Sequence, residues 1–206
     1  MSTATLDWKQ KPHFMGLLLG GFALLVCVLV ALGAKWTDPL IALRTQEDTQ
    51  KLLDQVIPAE LYDTAPTKEP FDLTLDGQTV QGFRARKAGQ VTAVALFAET
   101  QGYGGTIRLL LGIDAQGVLT GVRVLSHSET PGLGDKIQTN KSDWILGFAG
   151  LSLGNPDEQG WHVKKDGGQF DSFTGATITP RAMVKGVHET LTLFAKHSAE
   201  LLDSKE

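Results

Sequence analysis

The stretch Asp171-Ser172-Phe173-Thr174-Gly175-Ala176-Thr177-Ile178-Thr179-Pro180 sets three threonine hydroxyls around a glycine turn, directly before a helical pattern. Thr179 suits the N-cap of that helix and Pro180 its first position. A hydroxyl just outside a helix N-terminus lies in a field that favours negative charge. A phosphate esterified to Thr177, or resting on it, would therefore be stabilised there. The same residues also read as an ordinary capped turn with no chemistry. Composition leaves both readings open.

A second segment, His127-Ser128-Glu129-Thr130-Pro131-Gly132-Leu133-Gly134-Asp135-Lys136, is rich in glycine and follows an apolar extended run. His127 and Glu129 could serve as metal ligands or as an acid/base pair, but no third ligand stands at a recognisable spacing. The segment also departs from the phosphate-cradling GxxxxGK[ST] loop: its spacing is short and no hydroxyl follows Lys136. A tight loop with capping polar side chains is the plain alternative. Tyr103 and Trp144 read as core or rim aromatics, with stacking on a flat ligand as the second reading. Lys164 and Lys165 read as solvated, or as partners for a phosphate.

These residues need a scaffold, and the hydrophobic pattern supplies one. Phe14 to Ala34 contains no charged residue and matches the roughly 20 residues that cross a bilayer core. It exceeds the 7 to 15 residues usual for the core of a cleaved signal, so a retained anchor is expected over a signal peptide. Lys9 and Lys11 on one side, and Lys35 and Arg44 on the other, barely decide its orientation. Asp38 and Pro39 read as the N-cap and first residue of a second helix reaching Val56, with Leu40, Leu43, Leu52, Leu53, Val56 and Ile57 forming a partial apolar face. Pro58 ends it, and Asp63 to Pro70 reads as an exposed loop.

From Phe71 the period changes to two. Phe71 to Leu75 and Thr79 to Arg86 form a hairpin around Asp76-Gly77. Val91 to Glu99 is almost continuously apolar, as in a central strand buried on both faces. Thr106 to Ile113 and Val118 to Leu125 make a further pair. Ser142 to Ala149 reads as a short helix, and Trp161 to Lys165 as a short extended piece. A final helix from Pro180 carries Met183, Val184, Val187, Leu191, Phe194 and Ala195 on one stripe. The expected fold is α+β: one N-terminal transmembrane helix, then a single domain with a mainly antiparallel sheet of about five strands, one face covered by helices.

Composition narrows the function classes. Of 206 residues, 42% are hydrophobic and 20% charged, as in an ordinary folded chain; the 23 glycines exceed the roughly 7% norm and favour turns over a helical bundle. A net charge of −4 lacks the basic footprint of nucleic-acid binding. Cys27, the single cysteine, can form no intramolecular disulfide and no cysteine-based cluster alone. There is no GxSxG elbow, and the five histidines form no triad-like pattern with a serine.

Asp171-x-x-Thr174-Gly175-Ala176-Thr177 resembles the D-x-x-[ST]-G-A-[TS] signature of proteins that receive FMN through a phosphoester from a flavin transferase. His127 to Lys136, Ser142-Asp143-Trp144 and Trp161 to Gly168 resemble the G subunits of Rnf-type electron-transport complexes. Those are relatives of the C subunits of sodium-pumping NADH:quinone reductases. The similarity runs over essentially the whole chain. It implies covalent FMN on Thr177, with Asp171, Thr174, Gly175 and Ala176 as motif residues. It further implies flavin contacts from Thr130, Gly132, Leu133 and Gly134, with lesser roles for Glu129, Lys136 and Lys164. Residues 1–13 would be a short cytoplasmic tail, 14–34 the membrane span, 35–66 a connector helix and loop, and 67–206 the FMN-binding domain. That domain would face the periplasmic side of a bacterial inner membrane. Its partners would be the other subunits of a complex that couples electron transfer between ferredoxin and NAD to ion translocation. The span has no charged residue, so the ion path would lie in those partners. A non-redox, membrane-anchored binding or assembly module with unmodified Thr177 is the alternative from another class.

Overall fold

The computed structural model describes the backbone of residues 12–203 and the side chains of residues 15–32 and 47–203. The expected cytoplasmic tail, but for its last residues, lies outside the described residues, as do the side chains of Lys35, Asp38, Pro39, Leu40, Leu43 and Arg44. The chain divides into two compact units, Met1–Glu47 and Asp48–Glu206.

In the first unit, Met15–Leu32 is helical, with no residue of it buried, and is long and apolar enough to cross a membrane. Helix α1 spans Pro12–Asp54, so the two helices expected around Asp38-Pro39 are one. A proline removes a single N–H donor from the ladder. Good helix formers on both sides, Ala31, Leu32 and Ala34 before it and Leu40 to Arg44 after it, sustain the helix through it.

The second unit is an antiparallel sheet in consecutive order: β1 (Pro70–Leu75), β2 (Gln78–Lys87), β3 (Gln90–Gln101), β4 (Thr106–Asp114) and β5 (Leu119–Ser126). Two-residue turns join β1 to β2 and β2 to β3. Asp76-Gly77 and Ala88-Gly89 both have positive φ throughout, the backbone that matches strand twist. Helix α2 (Ile178–Leu202) lies on β3 and buries Met183, Val184, Val187, Leu191 and Phe194. Ala195, expected on the same stripe, is exposed. Thr100 of β3 donates its hydroxyl to the Ala182 carbonyl at 2.9 Å, and Gly186 lets the helix approach Thr100 closely. Phe148, Trp161 and Phe170 stack beneath this layer, with Phe148 and Phe170 ring centroids 4.9 Å apart.

The sheet is covered on both faces, not one. Along β3, Val94 and Leu96 join the core under α2, while Ala93 and Ala95 join a second cluster with Leu53, Val56 and Ile57. Small residues on this second face admit the chain that follows α1: a side chain at Gly112 would collide with the Val56 carbonyl. Leu52, expected on the buried face, is exposed. The segment read as an exposed loop is partly structured. The Asp63 N–H donates to the Arg86 carbonyl, Pro66 is buried, and Arg86 grips Glu69 through two bonds of 2.8 and 2.9 Å.

The far end of α2 is tied to the β1–β2 turn. His197 interrupts the helical dihedrals; its Nδ1 lies 2.9 Å from Glu200 and its Nε2 3.2 Å from Asp76, while Lys196 also holds Asp76 at 2.6 Å. Hydrogen bonding to Glu200, then to Asp76, raises the His197 pKa above its ordinary value. The protonated ring therefore stabilises the fold. That contribution is complete below the unfolded pKa of about 6.5 and is lost as pH rises through the higher folded value. His197→Gln should flatten the decline in melting temperature across that window. Parallel melting curves for the two proteins would contradict this.

Candidate functional site

The two chemically suggestive segments meet at the N-terminus of α2. Loop 127–134 folds back on itself: the N–H groups of Leu133 and Gly134 both donate to the Thr130 carbonyl at 3.1 Å, with Gly132 at φ +78°. The motif closes a tight turn in which the Ala176 N–H reaches the Phe173 carbonyl and Gly175 sits at φ +83°. Leu133 lies against Gly175, where an added methyl would come within 3.1 Å of it. Between them opens a cleft of about 400 Å³ lined by Tyr103, Glu129, Thr130, Leu133, Gly134 and residues 175–179.

Glu129 joins the parts. Its carboxyl is buried at 5% exposure, with Oε1 accepting the Gly104 N–H at 2.9 Å and Oε2 accepting the Thr179 hydroxyl. One side chain thus ties the β3–β4 turn, loop 127–134 and the first turn of α2 together. His127 accepts the Glu129 N–H on Nδ1, a bond internal to the loop. Among the described residues, no group of three or more His, Cys, Asp or Glu side chains could hold a metal ion.

Thr179 does not cap the helix. It is fully buried on Glu129, and α2 begins two residues before Pro180, at Ile178, with Thr177 as its N-cap. Pro180 falls in the first turn, where the missing N–H breaks no intrahelical bond. Thr177 has helical dihedrals and its side chain makes no capping bond. Its hydroxyl is therefore uncommitted, half-buried at the cleft, beside N–H groups of the first helical turn.

Of the residues expected around a flavin, Glu129, Thr130, Leu133, Gly134, Gly175, Ala176 and Thr177 line the cleft. Gly132 lies in the same loop, Lys136 in the short 3₁₀ turn Gly134–Ile137 that follows it, and Thr174 in the motif turn, all outside the lining. Asp171 and Lys164 pair with each other at 2.6 Å on the exposed flank. The Trp144 indole N–H donates to the Asp171 carbonyl at 2.9 Å, and its ring packs against Phe148 and Phe173. Ile178 and Thr179 also line the cleft, although the sequence does not single them out as contacts. Their only signal is the helix start, which Thr179-Pro180 displaces by two residues.

The cleft suits a flavin mononucleotide. Its volume lies within the roughly 300–1,000 Å³ of small-molecule sites. Leu133 and Ile178 give it apolar surface at 40% and 47% exposure. The helix N-terminus supplies donors for a phosphate. Fold and site define an FMN-binding domain: residues 102–192 match the family model of that description.

Over the whole chain the relatives are more specific. The G subunit of the ion-translocating oxidoreductase complex from Cereibacter sphaeroides is 51% identical over 95% of this chain and 90% of its own length. Its counterpart from Pseudomonas aeruginosa is 47% identical over 92% of each. The chain belongs to the family of G subunits of ion-translocating oxidoreductase complexes. Among solved structures, the C subunit of the Na⁺-translocating NADH-quinone reductase from Parabacteroides distasonis matches over 81% of this chain and 98% of its own. It does so at a TM-score of 0.53 and 19% identity, a likeness of fold.

Proposed function

We propose that the chain is a membrane-anchored electron carrier holding FMN through a phosphoester on Thr177, within an Rnf-type complex that couples electron transfer between ferredoxin and NAD to ion translocation. The observation that carries this reading is the uncommitted Thr177 hydroxyl at the head of α2, on the cleft shared by the two loops. Bound FMN supplies reversible one- and two-electron chemistry. The chain's own residues attach, orient and shelter it.

A phosphoester on Thr177 would provide the capping acceptor that the threonine itself does not, with its negative charge facing the positive end of the helix dipole. Loop 130–134 offers glycine backbone for close approach, and Leu133 an apolar contact. Asp171 and Thr174 help present the motif to a flavin transferase; Lys164, Lys136 and Glu129 add polar surroundings. Covalent attachment fixes occupancy irrespective of affinity, which matters on the periplasmic side, where free FMN would be scarce.

Residues 14–34 are the inner-membrane anchor, 1–13 a cytoplasmic tail, 35–66 the connector and 67–206 the FMN domain. The remaining partners are the other subunits of the complex. The full-length chain, co-produced with a flavin transferase, should keep flavin fluorescence in a denaturing gel and gain the mass of one FMN less water. A dark band with an unmodified mass would overturn the reading.

A further inference from the structure

The chain has two tyrosines, and they are built differently. Tyr62 donates its hydroxyl to Asp54 at 2.6 Å. Tyr103 is 71% exposed and, among the described residues, has neither a hydrogen bond nor an aromatic contact, yet it lines the same cleft as Thr177.

Its exposure is not that of a loose loop tip. The β3–β4 turn, residues 102–105, closes with the Gly102 N–H on the Gly105 carbonyl at 2.8 Å, and Gly105 sits at φ +135°. The Gly104 N–H is held by Glu129 at 2.9 Å. A methyl at Gly102 would strike the Glu129 carboxyl and Ile107, and one at Gly104 would strike the Ser128 carbonyl. Gly102 and Gly104 thus press the turn onto loop 127–134, and Gly105 supplies the positive φ that closes it. They leave a large planar ring mounted beside the cleft with no aromatic partner among the described residues. The carboxyl that fixes the turn also fixes the first turn of α2 next to Thr177. The ring's position is therefore coupled to that of the attachment residue.

We propose that Tyr103 covers one face of the isoalloxazine ring of the FMN joined to Thr177. The inference rests on the reading of Thr177 above. Offset stacking of two aromatic planes is favourable, and Tyr contributes it with a polar edge that tolerates water. An aromatic π face stacked against the flavin disfavours the more electron-rich reduced form and so lowers the midpoint potential. On illumination, a stacked phenol passes one electron to the excited flavin and regains it by recombination. Emission is lost with no net chemistry.

The test uses the full-length chain co-produced with a flavin transferase, with intact mass read first to establish FMN occupancy. At equal occupancy, Tyr103→Leu should raise flavin emission several-fold, lengthen its excited-state lifetime and shift the midpoint potential upward. Tyr103→Phe should keep the wild-type potential and absorption envelope, because stacking survives, while gaining emission because phenylalanine is a poor donor. A purely structural role would move none of these optical quantities. Tyr103→Leu protein with full occupancy and unchanged emission and lifetime overturns the inference while leaving the Thr177 reading intact. Wild-type chain without the FMN mass increment overturns that reading and the role of Tyr103 with it.

Discussion

Thr177→Ala should abolish covalent FMN completely: intact mass reverts to that of the bare chain, and fluorescence vanishes from the denatured band. Because the Thr177 side chain makes no capping bond, the substitution should cost less stability than the roughly 0.5–2 kcal/mol typical of losing a threonine cap. Thr177→Ser keeps a hydroxyl at the same place and should retain the flavin. Thr174→Ala leaves the acceptor in place and should still be loaded, if less efficiently. A melting curve close to wild type, together with total loss of flavin, separates removal of an acceptor from collapse of the site. Covalent flavin surviving in Thr177→Ala would contradict the assignment directly.

Glu129→Ala should have the largest effect on the architecture of the site. It strands the fully buried Thr179 hydroxyl, an orphaned group worth about 1–3 kcal/mol, and releases the Gly104 N–H, which is exposed and can turn to water. In a domain of this size, melting temperature falls roughly 2–4 °C for each kcal/mol lost. A drop of several degrees by calorimetry on the full chain is therefore expected. Thr179→Val removes one of the two bonds and should give a smaller loss. The double variant should cost less than the sum, because the two residues share a bond. Additive losses would show that the carboxyl and hydroxyl act independently. Flavin attachment should weaken in Glu129→Ala as well, since the loop and helix that frame Thr177 are no longer tied.

Much of this arrangement is legible in the residues alone. Asp76-Gly77 between alternating strands marks the first hairpin, and the unbroken apolar run from Val91 marks the central strand, because strand period and turn chemistry are local properties. The five-stranded antiparallel order follows from them. Long-range contacts are not legible in the same way. Nothing local reveals that Thr179 is pulled inward by a carboxyl 50 residues earlier, so its sequence with Pro180 imitates an N-cap. The apolar run of β3 signals burial on both faces, but what covers the second face is equally hidden. It depends on Val56 meeting Gly112 and Gly121, and a glycine in a strand announces space without naming what fills it. The break expected at Asp38-Pro39 fails for a related reason: proline weakens one bond of a helix, while the residues on both sides decide whether it continues. In the site, the motif residues are legible as a string. That the β3–β4 turn closes the cleft with Tyr103 requires the fold.

The most direct measurement is peptide mapping of the full-length chain loaded in the presence of a flavin transferase. Trypsin releases residues 166–181, Asp-Gly-Gly-Gln-Phe-Asp-Ser-Phe-Thr-Gly-Ala-Thr-Ile-Thr-Pro-Arg, as one fragment that carries Ser172, Thr174, Thr177 and Thr179 together. Fragmentation of that peptide should place one FMN phosphoester on Thr177. An unmodified peptide, or FMN on Thr174, Thr179 or Ser172, would contradict the account.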